Sequence, residues 1–179
     1  AAAATTARRP ASASQGALVD AIAGGPPTAA EARTAIGDVA GALGVLATAL
    51  LGGSLLARAI VVARGPWGNL YEFSVAFAWG ITAAVLVLDR RGRARPIAAI
   101  AYGIALGILL YASTLPNAIV ALVPALQHPL LLTIHVGLAM LSYGIFAFAF
   151  AAAVAQLAQG AHDRYSWLPP TKRLDLIAF

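Results

Sequence analysis

The stretch Pro129–Leu157 reads PLLLTIHVGLAMLSYGIFAFAFAAAVAQL and contains no Asp, Glu, Lys or Arg. A helix needs about 20 apolar residues to cross ~30 Å of hydrocarbon. This run is therefore long enough to span a bilayer with residues to spare. Three more apolar runs precede it, from about Ile36 to Ala63, from Leu70 to Leu88 and from about Pro96 to Ser113. The third is the shortest and stands near the lower limit of about 17 residues. Pro96 and Pro129 suit the first turn of a helix, where a missing N–H costs nothing. The pattern predicts an all-α fold, a polytopic membrane helix bundle with about four transmembrane helices. Gly44, Thr48 and Gly52 in the first run recur at spacing four, which either lets two membrane helices approach closely or reflects how common small residues are here.

The composition agrees with that reading. Of 179 residues, 60% are hydrophobic and 11% charged, against roughly 25% charged in an ordinary soluble domain. The net charge of +5 is no sign of nucleic acid, because the basic residues lie between apolar runs without base-stacking aromatics among them. Membrane lipid is the expected surrounding. The chain has no cysteine, so disulfides, thiolate metal sites and a cysteine nucleophile are excluded.

Residues 1–34 are rich in Ala, Ser, Thr, Gly and Pro and read as a disordered tail. Arg8 and Arg9 are not followed closely by an apolar core, so they do not form a twin-arginine export signal. Residues 35–179 form the membrane domain. The closing Arg173–Phe179 begins another apolar run and stops, as in a truncated chain. The densest basic cluster, Asp89–Arg95, should face the cytoplasm, and the uncharged connection from Thr114 to Gln127 should lie outside. Of the 12 basic residues, all but Arg58 and Arg64 then fall inside, and the N-terminal tail is cytoplasmic.

Ionisable groups inside spans are costly and usually functional. Asp38, Arg58 and Glu72 lie near span ends, and Asp38 reads as a solvated helix-end carboxylate. The first outer loop runs Arg58 to Phe73 and carries Gly65-Pro66-Trp67-Gly68-Asn69-Leu70-Tyr71-Glu72. Trp67 and Tyr71 suit the membrane interface. Glu72 stands near the positive end of the second helix's dipole, within reach of Arg58 or Arg64. Taken alone, this is an ordinary interfacial turn with a capping carboxylate. Among the three histidines, His162 is a solvated loop residue and His128 precedes the fourth helix. His135 lies within that helix, at its outer end, with the small residues Ala139 and Ser142 on its face. His128 and His135 are seven apart and point nearly the same way, so they cannot clamp one iron between them. A single interfacial histidine, on these grounds alone, is more often structural than a ligand.

Two segments carry a resemblance. Gly65-Pro-Trp-Gly-Asn-Leu-Tyr-Glu-Phe-Ser74 resembles the outer-loop signature of CcsA-type (ResC-type) cytochrome c biogenesis proteins. Val123-Pro-Ala-Leu-Gln-His-Pro-Leu-Leu-Leu-Thr-Ile-His-Val136, followed by Met140-Leu-Ser-Tyr-Gly144, resembles a second stretch of the same family. The likeness covers about residues 40–179. It implies cytochrome c assembly in the bacterial plasma membrane. Haem, b-type and in transit, is delivered to the outer face and joined to apocytochrome c, by a synthase complex with a CcsB/ResB-type membrane subunit. It implies that His135 is an axial ligand of haem iron, which accepts neutral imidazole. It implies that Asn69, Leu70, Tyr71 and Glu72 form a structural outer-loop motif, and on the residue reading Arg58 and Arg64 join it as partners of Glu72. The family's tryptophan-rich loop and second histidine come further along its chain than this sequence runs, and the family has a small polar residue at the position of His128. Two rivals are a membrane transporter fragment, which would want an ionisable group at a span's midplane, and a haem-handling protein of the other bacterial assembly pathway. An electron-transfer haem anchor would need paired histidines on facing helices.

Overall fold

A computed structural model of the chain describes residues 29–89, 94–119, 129–160 and 163–178. His128, His162, Arg8, Arg9 and the arginines at 90, 91 and 93 lie outside these. Among the described residues five helices follow in order: α1 (Ala29–Val62), α2 (Leu70–Leu88), α3 (Arg95–Ser113), α4 (Pro129–Gln159) and α5 (Thr171–Ala178). No strand occurs among the described residues. The first four helices are long and apolar enough to cross a membrane, so the chain is a multi-pass, all-α bundle. In lipid the helix is the natural outcome for such segments, because each backbone group finds its partner within the segment. Residues 29–34, assigned to the tail on composition, are helical, since Ala, Glu and Arg are good helix formers and extend the turn N-terminal to the apolar run.

Within the unit of residues 37–179, α2 is the central element and packs on both α3 and α4. One core joins Ile81 and Val85 of α2, Ile97 and Ala101 of α3, Phe148 and Ala152 of α4, and Leu174 of α5. A second, toward the other end, joins Leu55, Val75, Ala76, Ala112 and Met140. Large apolar side chains remain uncovered along the outer faces, among them Leu46, Leu50, Leu106, Leu110 and Phe146. Around a water-soluble protein so much contiguous apolar surface would drive association; in a bilayer it meets its own solvent.

Helices α2 and α4 come close at Gly80 and Gly144. A Cβ on Gly144 would overlap the Gly80 carbonyl, and one on Gly80 would run into the Met140 carbonyl. The small residues of α1 serve otherwise: the space above Gly44 is filled by the Tyr102 hydroxyl and that above Gly52 by the Trp79 indole, while the Thr48 hydroxyl bonds back to the Gly44 carbonyl at 2.9 Å. The stripe thus receives aromatic rings from α2 and α3, which keep the backbones further apart than small-to-small packing would. At the end opposite Glu72, Arg95 lies 3.4 Å from the exposed Asp38. There too, Asp163 caps α5 from a distance, accepting from the Thr171 N–H at 2.8 Å and the Thr171 hydroxyl at 2.6 Å. Those two bonds, the hydroxyl's first, hold the Asp163 carboxyl below its ordinary range.

Valine at Gly144 should separate α2 from α4 and cost about 1–3 kcal/mol. Thermal unfolding in detergent should show a clearly lower Tm for Gly144→Val. Gly103→Ala, where the added methyl meets no atom within 4 Å, should leave Tm unchanged or raise it.

Candidate functional site

The turn between α1 and α2 is built from its sequence. Ala63 ends α1 in the left-handed region, at φ +51°, a conformation an alanine adopts at some cost. Asn69 then caps α2, its side-chain oxygen accepting from the Glu72 N–H at 2.8 Å. Glu72 reaches back and accepts from the Gly68 N–H at 2.6 Å. This is a capping box displaced by one residue, and it explains why Asn and Glu stand three apart at the start of this helix.

Glu72 also joins the helices. Its carboxylate is fully buried and accepts from Arg58 Nε at 2.6 Å, with Arg64 at 3.7 Å; the arginine side chains are only 20% and 13% exposed. The Arg58 guanidinium lies 5.4 Å over the Tyr71 ring and donates to the Asn117 carbonyl at 2.6 Å. The amide of Asn69 donates to the next carbonyl, Ala118, at 3.0 Å. Arg64 donates to the Gly65 carbonyl at 3.2 Å. Arg58, Arg64, Asn69, Tyr71 and Glu72 therefore form one cluster, tying α1, α2 and the segment after α3. Leu70 stands at its edge with its side chain largely exposed. The segment's two carbonyls were not legible as partners, because any residue can supply a carbonyl.

A third link runs from this turn to α4. The Gly65 N–H donates to the Thr133 hydroxyl at 3.2 Å, and the Trp67 ring stands 3.9 Å from where a Cβ on Gly137 would be. Thr133 was missed in the sequence, although a hydroxyl among leucines is itself a signal that some partner is near.

His135 lies two residues beyond Thr133, hence at the same end of the bundle as the Glu72 cluster. Its side chain is exposed and, among the described residues, has no hydrogen-bond partner. The Leu131 carbonyl does not receive the ring N–H; in the helix it serves the His135 backbone N–H. Ala139 is half-buried and Ser142 is exposed on this side, and the Ser142 hydroxyl is turned back onto the Leu138 carbonyl at 3.0 Å. The helix face beside the imidazole is accordingly low. No group of three or more His, Cys, Asp or Glu side chains that could hold a metal ion exists among the described residues. A lone imidazole offers a single ligand and no closed metal site.

The family model for cytochrome C assembly protein matches residues 67–179. The chain belongs to the cytochrome c assembly protein family. It is similar to the cytochrome c biogenesis protein CcsA of Synechocystis sp., 40% identical over 115 residues, 59% of this chain and 33% of that protein. Its likeness to CcsA of Gloeothece citriformis is 38% over 113 residues, covering 61% and 33% of the two chains. For CcsA of Trichormus variabilis it is 36% over 116 residues, covering 63% and 32%. The chain spans about a third of the length of these relatives. No solved structure matches it. The matched region begins at Trp67 and includes the cap, Thr133 and His135, whereas Arg58, Arg64 and Gly65 precede it.

Replacing Glu72 by Gln would leave two half-buried guanidiniums facing a neutral group, and breaking such a pair costs about 3–5 kcal/mol. Glu72→Gln should lower the amount of folded protein in the membrane several-fold. The haem spectrum of the protein that survives should be unchanged; an altered axial-ligand spectrum would mean that Glu72 acts on the iron.

Proposed function

We propose that the chain acts in cytochrome c biogenesis, as the part of a haem-delivering membrane protein that presents one haem ligand at the outer membrane face. Family membership supports the assembly role. The observation that carries the finer reading is His135: an exposed imidazole with no hydrogen-bond partner among the described residues, near a helix end that the turn touches. Neutral imidazole is a ready axial ligand for haem iron. The residues 131, 138, 139 and 142 around it would offer the porphyrin edge an apolar, low surface. Bound there, haem supplies the group that is joined to the apocytochrome. What this chain does is hold the imidazole in place and, through its lipid-facing helices, keep the site at the membrane surface.

The second axial ligand comes from outside the described residues. The thiols for covalent attachment are those of apocytochrome c, and the absence of cysteine from this sequence is compatible with that. A CcsB/ResB-type membrane subunit is the proposed partner, and attachment activity belongs to the complex, a cytochrome c synthase. Arginine distribution supports a bacterial plasma-membrane orientation with the N-terminus cytoplasmic. The Arg58–Glu72 cluster then lies at the outer face, where the buried carboxylate offsets one of the two guanidinium charges. A transporter reading finds no support: the one buried ionisable side chain among the described residues, Glu72, is at a helix start and is fully bonded.

His135→Gly in the complete complex should lose most of its haem and its ability to mature cytochrome c. Added imidazole should restore both in part by filling the coordination position. Normal haem content and maturation in this variant would overturn the ligand assignment. Separately, reporter fusions should give a cytoplasmic signal at Gly92 and an external signal at Asn117; an external signal at Gly92 would overturn the orientation.

A further inference from the structure

Thr133 and Gly137 are one helical turn apart and share a face of α4, whereas His135 falls between them in sequence and on the opposite face. The first two are the residues that the α1–α2 turn touches. The Gly65 N–H donates to Thr133, and Trp67 lies along Gly137. The contact is tight. A Cβ on Gly65 would overlap the Trp67 indole nitrogen and come within 2.8 Å of the Thr133 hydroxyl oxygen, so the turn passes between those two side chains with no room left. The Trp67 ring belongs to the same apolar cluster as Val136, Met140, Leu55 and Val75. Its indole N–H is buried and has no hydrogen-bond partner among the described residues, which means that fit and not hydrogen bonding places the ring.

Little else holds this part of α4 on the α1 side. A groove of about 670 Å³ runs there, lined by Leu56, Ile60, Trp67, Leu130 and Thr133 among others, and His135 is not part of it. The turn bridges the groove at one end. The turn is itself fixed by Glu72, Arg58 and Asn69, so rigidity built at the start of α2 passes through two side chains to the back of the histidine helix.

We propose that Trp67 and Thr133 are positioning residues for His135, gripping α4 from behind so that the imidazole stands at a fixed place on the open side. This rests on the reading of His135 as a haem ligand. It assigns the Gly-Pro-Trp-Gly part of the turn a purpose in ligand geometry that is separate from helix capping. The ring and the hydroxyl touch neither haem nor substrate; they act through the helix.

The test uses the complete membrane complex with Thr133→Val, which keeps the shape and removes the acceptor, Thr133→Ser, which keeps the acceptor, and Trp67→Ala. Haem binding should weaken roughly tenfold in Thr133→Val and Trp67→Ala, as for other residues that orient a ligand, with a changed axial-ligand spectrum. Thr133→Ser should behave as the parent. Imidazole should rescue His135→Gly but not Thr133→Val, in which the position is still contested by the misplaced ring. Spin labels on cysteines introduced at Leu88 and Leu130, both exposed, give a readout independent of haem. Their distance distribution should broaden or shift in Thr133→Val and Trp67→Ala and not in Thr133→Ser. If the distribution, haem content and spectrum of Thr133→Val and Trp67→Ala match the parent while His135→Gly loses haem, the positioning role is wrong and the ligand assignment stands. If His135→Gly keeps its haem, the ligand assignment itself falls, and this inference with it.

Discussion

The carboxylate of Glu72 is withdrawn completely from solvent at the start of a membrane helix, with two guanidiniums and a backbone N–H around it. A lone buried carboxylate would be prohibitively costly there. The charge is tolerated because each oxygen has a partner, Arg58 on one and Gly68 on the other. The same bonds decide what the neighbouring segments can do. Arg58 cannot leave Glu72 without abandoning the carbonyl after α3, and Asn69 cannot stop capping α2 without releasing the adjacent carbonyl. The turn, α1, α2 and the segment following α3 are thereby fastened at a single point, which is where an apolar bundle most needs polar fastening. Between helices in lipid the hydrophobic effect supplies no attraction, and packing and hydrogen bonds must.

The bundle below that point is held by shape. Gly80 and Gly144 let α2 and α4 touch backbone to backbone, and the inner faces are otherwise closed by alanines with a few large side chains such as Ile81, Ile97 and Phe148. Alanine-rich faces bring helices close at little cost in side-chain entropy. Many of the leucines, and Phe146 and Phe150, are left to the outer faces.

The helices could be read from the sequence because a long uncharged run in a short chain admits few alternatives. The ends of α2 follow from Asn69 before it and the arginine-rich loop after it. The start of α1 did not follow from composition, since an Ala-rich tail and an Ala-rich helix look alike once hydropathy stops discriminating. The Arg58–Glu72 pairing was within reach, because opposite charges near two span ends have few other partners in a bilayer. The Gly80–Gly144 contact was not. Each glycine is isolated in its own helix, and only the crossing point makes them a pair. Similarly, the small stripe on α1 showed that something comes close but not whether it is a backbone or a ring; Tyr102 and Trp79 decide that. For His135, sequence alone leaves a packed side chain as the plainer reading. It is the helix register, which turns the ring away from the bundle, that separates the histidine from the core.

The two sides of α4 at this end differ in kind. The side carrying Thr133, Val136, Gly137 and Met140 is occupied by the turn and by α2, and its residues are small or apolar. The side carrying His135 and Ser142 is open. A ligand histidine on the packed side would be fixed but unreachable for a large planar group. One on a helix packed nowhere would be reachable but free to move with the helix. A separation of two residues places the imidazole roughly 200° around the helix from Thr133, so restraint and access fall on opposite faces of one short segment. The polar cluster at Glu72 thus sits away from the histidine and contributes to it only through the rigidity of the turn.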